Sequence, residues 1–224
     1  MTNRRAAWSG VTPERTVAFT DAVLAIAMTL LVLDLKAPEV ANPADYGSVL
    51  LDLLPRLYQF ALSFFLLCLL WIKHHSRFAR ITRIDSRLLW LNALMLFFAA
   101  LMPMPTSMLI GPAFGSPWPP AIYATVTVCM WLSLALMWRH AWKAGLVRED
   151  VTVEEYRELL VGPLPTIAVF ALSIPIAFLP KLGGFIPYYF WLLCPVVDAL
   201  VKRIRARSRP SDTTSTSADT EALD

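Results

Sequence analysis

Apolar runs near the twenty residues a membrane-spanning helix requires recur about six times along this chain, at roughly 13–35, 47–72, 88–111, 119–141, 160–180 and 184–203. A segment of that length in hydrocarbon must satisfy every backbone polar group internally, so it can only be helical. The chain is therefore read as an all-α integral membrane protein with six transmembrane helices per subunit. A charged fraction of 17% and a mean hydropathy of +0.54 exclude a soluble domain, in which about a quarter of the residues would carry charge. Proline punctuates the connections: Pro38 and Pro43, then Pro112, Pro117, Pro119 and Pro120, then Pro180, as expected between short-looped helices.

Cationic side chains set the orientation, because the cytoplasmic face of a membrane protein collects lysine and arginine. If the runs alternate direction, seventeen of the 20 lysines and arginines fall on one side, leaving Lys36, Arg56 and Lys181 on the other. Both termini are expected in the cytoplasm of a multi-pass cell-membrane protein. The net charge of +3 reports this topology and gives no reason to expect a nucleic-acid partner. Residues 1–205 are expected to form one six-helix membrane unit. Residues 206–224, rich in Ser, Thr and Asp, read as a disordered cytoplasmic tail.

Charge at the mouth of the first run is the least expected feature. Arg15 and Asp21 flank Phe19 and Thr20 where ionisable groups are expensive and default to a functional role. At about 100° per residue, Arg15, Phe19, Ala22, Ile26, Thr29, Leu30 and Leu33 share one stripe, while Thr20 and Asp21 lie off it. A pair between Arg15 and Asp21 along the helix is unfavourable, since side chains meet at spacings of three or four. Asp21 is expected to find its partner on the second helix, in the run Trp71, Lys73, His74, His75 and Arg77, with Asn92 of the third helix joining the network. An apolar stripe on an anonymous membrane helix is more often internal packing than a pore lining.

Other polar residues point to no catalysis. His74 and His75 are adjacent and diverge on a helix, and His140 is alone in its segment, so no metal chelate is expected. Cys68, Cys129 and Cys194 read as buried small hydrophobes. Asp21, Asp34 and Asp198 lie toward span ends, and no nucleophile motif is present, so neither an enzyme nor a cofactor is expected. Thr152 and Glu155 resemble a capping box opening a short charged helix. Trp118, Trp131, Trp138, Trp142 and Trp191 fit interfacial aromatic belts.

Arg15-x-x-x-Phe19-Thr20-Asp21, the apolar stretch from Ala22 to Leu31, Trp71-x-x-His74-His75, the Trp90-Leu91-Asn92 stretch and the Pro103-Met104-Pro105-Thr106 segment together resemble the transmembrane protein 175 family of potassium channels. The chain departs from that signature only at Thr20, where the family has serine. The resemblance implies a homotetramer of six-helix units, here of the prokaryotic single-repeat type, whose first helices line a pore for potassium ions across the lipid bilayer. It implies that Ile26, five positions after the motif's aspartate, forms the constriction. Thr29 supplies a hydroxyl layer one turn outward, and Leu33 an outer apolar layer. Arg15, Phe19, Thr20, Asp21, Trp71, His74 and Asn92 are then the signature and interhelical lock. The competing expectation is a proton-coupled secondary transporter with Asp21 and His74 as a titrating relay.

Overall fold

A computed structural model describes residues 12–35, 46–110, 115–179, 186–191 and 203. Apart from one isolated bridge, the regular structure among them is helical: α1 (Pro13–Leu30) with a 3-10 turn (Leu31–Asp34), α2 (Tyr46–Phe78), α3 (Ser86–Leu101), α4 (Pro103–Met108), α5 (Trp118–Lys143), α6 (Val153–Val161), α7 (Leu164–Ala177) and α8 (Ile186–Trp191). Among the described residues, five stretches are long and apolar enough to cross a membrane: Pro13–Leu33, Leu53–Phe78, Ser86–Met108, Trp118–Lys143 and Val153–Ala177. Of the sixth expected span only α8 and residue 203 are described; the remainder, with Cys194, Asp198 and the 206–224 tail, lies outside the described residues.

Local chemistry sets the helix boundaries. Thr12 caps α1 by accepting the Arg15 N–H at 3.4 Å, with Pro13 and Glu14 following in the first turn, where a missing N–H is harmless and a carboxylate favourable. Asp85 caps α3 by accepting the Leu88 N–H at 2.8 Å. Thr152 accepts the Glu155 N–H at 3.2 Å and starts α6. Gly145 closes α5 at φ +64°, while Leu146 N–H reaches back to the Ala141 carbonyl at 3.0 Å. Only a residue without Cβ takes that left-handed position cheaply.

Two boundaries differ from those expected. The second span continues past 72 to Phe78: its basic end remains helical, with Arg77 buried and bonded to the Lys73 and Leu159 carbonyls. The third is two helices, broken at Met102, where Pro103 and Pro105 remove backbone donors.

The core is built round α5, a post of 26 residues, about 39 Å long at 1.5 Å per residue. Its Tyr123, Met130, Trp131, Leu134 and Trp138 are fully buried, against α3 on one side and α7 on the other. Trp191 of α8 stacks on Tyr123 and Phe170 with ring centroids 4.8 and 5.3 Å away, and donates to Ser173 Oγ at 3.1 Å. The belt expectation is thus corrected for Trp131, Trp138 and Trp191, which are core residues. Trp118 is exposed, and half-buried Trp142 stacks on Tyr156 at 4.4 Å. Cys68 and Cys129 are free thiols and only half-buried.

Beyond α2 and α5, the two connecting loops pair briefly. Ile81 and Val147 form the antiparallel bridge, and Thr82 N–H and Arg148 N–H bond to the Leu146 and Arg80 carbonyls, both at 2.9 Å. Arg80 adds an ion pair to Glu155 at 2.6 Å, tying α6 to the same layer.

Candidate functional site

Two faces of α1 have opposite surroundings. Thr16, Thr20, Leu24, Ala27 and Leu31 recur at helical spacing and are buried against α2 and α3. Arg15, Phe19, Ala22, Ile26, Thr29, Leu30 and Leu33 are all exposed, Phe19 at 62%, Ile26 at 59% and Leu33 at 67%. The second stripe is therefore no part of this chain's own core, the more common arrangement for an apolar helix face. A single subunit leaves it uncovered.

On that stripe, Thr29 Oγ donates to the Ile26 carbonyl at 2.8 Å. Its one proton is thereby engaged within the helix, and its oxygen lone pairs remain to accept from water or to face a cation.

Behind the exposed stripe lie two separate hydrogen-bonded groups. In the first, buried Asn92 joins α1, α2 and α3: its Nδ2 donates to Thr20 Oγ at 3.0 Å, and its Oδ1 lies 3.0 Å from His74 Nε2. With the amide oriented this way, Oδ1 faces the ring and His74 donates from Nε2. The His74 ring is fully buried and stacks on Phe78 at 4.3 Å. In the second group, Trp71 Nε1 donates to Asp21 Oδ1 at 2.8 Å. Asp21 thus finds its partner on α2, as the spacing argument required, but it is the indole N–H rather than a histidine or arginine. A tryptophan partner is legible only as a donor at matching depth. Trp71 also lies beside the exposed His75, with ring centroids 5.9 Å apart.

Arg77 points elsewhere. It is 1% exposed and donates to the Lys73 carbonyl at 2.6 Å and to the Leu159 carbonyl of α6. A guanidinium at a helix C-terminus complements the unsatisfied carbonyls there, and here it clamps α2 to α6. His140, solitary in sequence, has a carboxylate partner in space: its Nε2 lies 2.8 Å from Asp85 Oδ2. A buried hydroxyl group within the bundle, Ser63 Oγ with Thr106 Oγ1 at 2.8 Å and Tyr123 OH at 3.0 Å, carried no sequence signal beyond the residue types.

This geometry can orient a helix and present an apolar face with one hydroxyl layer. Asp21 and His74 are held by different partners and do not bond directly to each other.

The family model described as endosomal/lysosomal potassium channel TMEM175 matches residues 15–103, which contain both hydrogen-bonded groups and the whole exposed stripe from Arg15 onward. A protein of Chamaesiphon minutus named a potassium channel is 31% identical over 173 residues, covering 71% of this chain and 83% of that protein. A second, from Streptomyces collinus and also named a potassium channel, is 35% identical over 134 residues, or 58% of this chain and 65% of its own length. In three dimensions the fold is similar to the crystal structure of a lysosomal potassium-selective channel TMEM175 homolog from Chamaesiphon minutus, with a TM-score of 0.66 at 24% identity, over 88% of this chain and 98% of that one.

Proposed function

The chain belongs to the TMEM175 channel family, and from that premise we propose that it is a potassium-permeable cation channel whose pore is formed where the α1 helices of four identical subunits meet. Supporting this reading is the exposed α1 stripe, which lies beside the hydrogen-bonded groups that the family match covers. Ile26 of each subunit forms a ring of branched apolar side chains at the axis, a constriction that conducts when it widens and wets. Thr29, one turn further out, turns its oxygen toward the ion and replaces part of its hydration shell. Leu33 forms an outer apolar layer. Arg15 and Phe19 stand at the inner mouth, and the Thr20, Asn92 and His74 group, with Asp21 and Trp71, fixes the rotation of α1 so that the stripe faces the axis. The protein spans the cell membrane with its basic side and both termini in the cytoplasm.

The deciding experiment is potassium and sodium flux in liposomes carrying the purified protein or its Ile26→Asn variant. A polar ring at the constriction is expected to hold water, raising basal flux and lowering potassium preference. Flux and preference identical to those of the wild type would remove Ile26 from the pore.

A further inference from the structure

Where the start of α3 meets the end of α5, a cavity of about 400 Å³ is lined by Arg87, Leu91, Leu136, Arg139, His140 and Lys143. The cations sit at the helix ends. Leu91 lies one turn inward from Arg87 on α3, and Leu136 two turns inward from Lys143 on α5. Exposed Leu94 and Leu132 continue the apolar track deeper. The cavity therefore grades from charge at the membrane boundary to hydrocarbon within it.

Among the described residues, the carboxylate bonded to this wall is already committed. Asp85 accepts the Leu88 N–H at 2.8 Å as the cap of α3, and its two oxygens lie 3.0 and 2.8 Å from His140 Nε2. Among the described residues, Arg87, Arg139 and Lys143 make no ion pair. Cations placed merely to satisfy membrane topology would not need to converge from two helices on one pocket. Arginine and lysine around a concavity at headgroup depth are complementary to phosphate oxygens.

We propose that this groove binds an anionic phospholipid of the leaflet on the basic side, its phosphate held among Arg87, Arg139 and Lys143 and an acyl chain laid along Leu91, Leu136 and Leu132. Exposed Trp90, beside Leu91, sits at the depth where indoles favour the interface. The site lies between α3 and α5, includes no residue of α1 and goes beyond the pore assignment, resting only on the helices crossing a bilayer.

Native mass spectrometry of the purified full-length protein tests it, with cardiolipin and phosphatidylcholine titrated into the same micelles. Wild type is expected to hold cardiolipin preferentially. Each interfacial cation strengthens attraction to anionic lipid roughly fivefold, so Arg87→Gln, Arg139→Gln and Lys143→Gln together should weaken cardiolipin on the order of a hundredfold. A charge-matched control, Arg148→Gln, Arg157→Gln and Arg207→Gln, should leave the preference intact. Should the triple variant not assemble, Lys143→Gln at an exposed position should still weaken cardiolipin about fivefold. Equal binding of the two lipids by wild type would overturn the proposal, as would an equal loss in the control. Excess inorganic phosphate should fail to displace cardiolipin; displacement would make this a soluble-anion site and overturn the lipid assignment.

Discussion

Replacing Asn92 by leucine removes the amide that joins three helices while keeping nearly the same volume, so the effect is polar rather than a cavity. Two buried partners then lose their bonds: Thr20 Oγ, which accepts from Asn92 at 3.0 Å, and His74 Nε2, which faces Oδ1 at 3.0 Å. Each orphaned group costs about 1–3 kcal/mol when water cannot reach it. Interhelical hydrogen bonds in membranes average only about 0.6 kcal/mol, because the unfolded chain in a micelle also finds partners. The lower part of the range therefore applies, and Asn92→Leu is expected to destabilise by about 2–3 kcal/mol, a factor of roughly 30–150 in the folded-to-unfolded ratio. Reversible unfolding in mixed micelles, followed by fluorescence of the buried Trp131 and Trp138, reads this directly. Thr20→Val in the same background should cost about 1 kcal/mol less than it does alone, since the partner it would orphan is already gone. A variant within about 0.5 kcal/mol of wild type, or strict additivity with Thr20→Val, would refute the view that Asn92 joins these helices through its two bonds.

Three other substitutions separate the remaining contacts. Trp71→Phe removes the indole donor and should loosen α1, whereas Asp21→Asn keeps an oxygen acceptor for Trp71 and should be close to neutral; hydrogen exchange of the 15–25 backbone in both variants tests this, and equal loosening would mean that the charge of Asp21 matters beyond this bond. Arg77→Met leaves the Leu159 carbonyl without its donor and should destabilise by about 1–3 kcal/mol, with exchange rising first in residues 153–161. Protection of α6 unchanged in that variant would contradict the clamp.

Sequence reading reached the fold through hydropathy, which acts on whole segments and tolerates local exceptions. It failed where one residue's environment decides. The Met102 break turns on two prolines inside an otherwise apolar run, and the end of α2 on an arginine, Arg77, buried against carbonyls of α2 and α6. A tryptophan such as Trp131 or Trp191 has the same composition signal in a core as in a belt. At the site, helical spacing correctly separated the Thr20 and Asp21 face from the stripe bearing Ile26, because that depends only on 3.6 residues per turn. Partner choice was less legible. Asp21 pairs with Trp71 rather than a nearby cation, and His140 with Asp85 at a separation of 55 residues; both depend on how helices rotate against one another, which periodicity within one helix does not encode.

The proposed pore requires α1 to meet its own copies. Ile26→Cys, in a background with Cys68, Cys129 and Cys194 replaced by alanine, places one thiol on each exposed stripe at the proposed narrowest point. Mild oxidation of that protein in liposomes should yield inter-subunit dimers and reduce ion flux, with both effects reversed by a thiol reductant. Persistent monomers under conditions that cross-link a thiol elsewhere at a subunit contact would contradict a pore lined by the first helix.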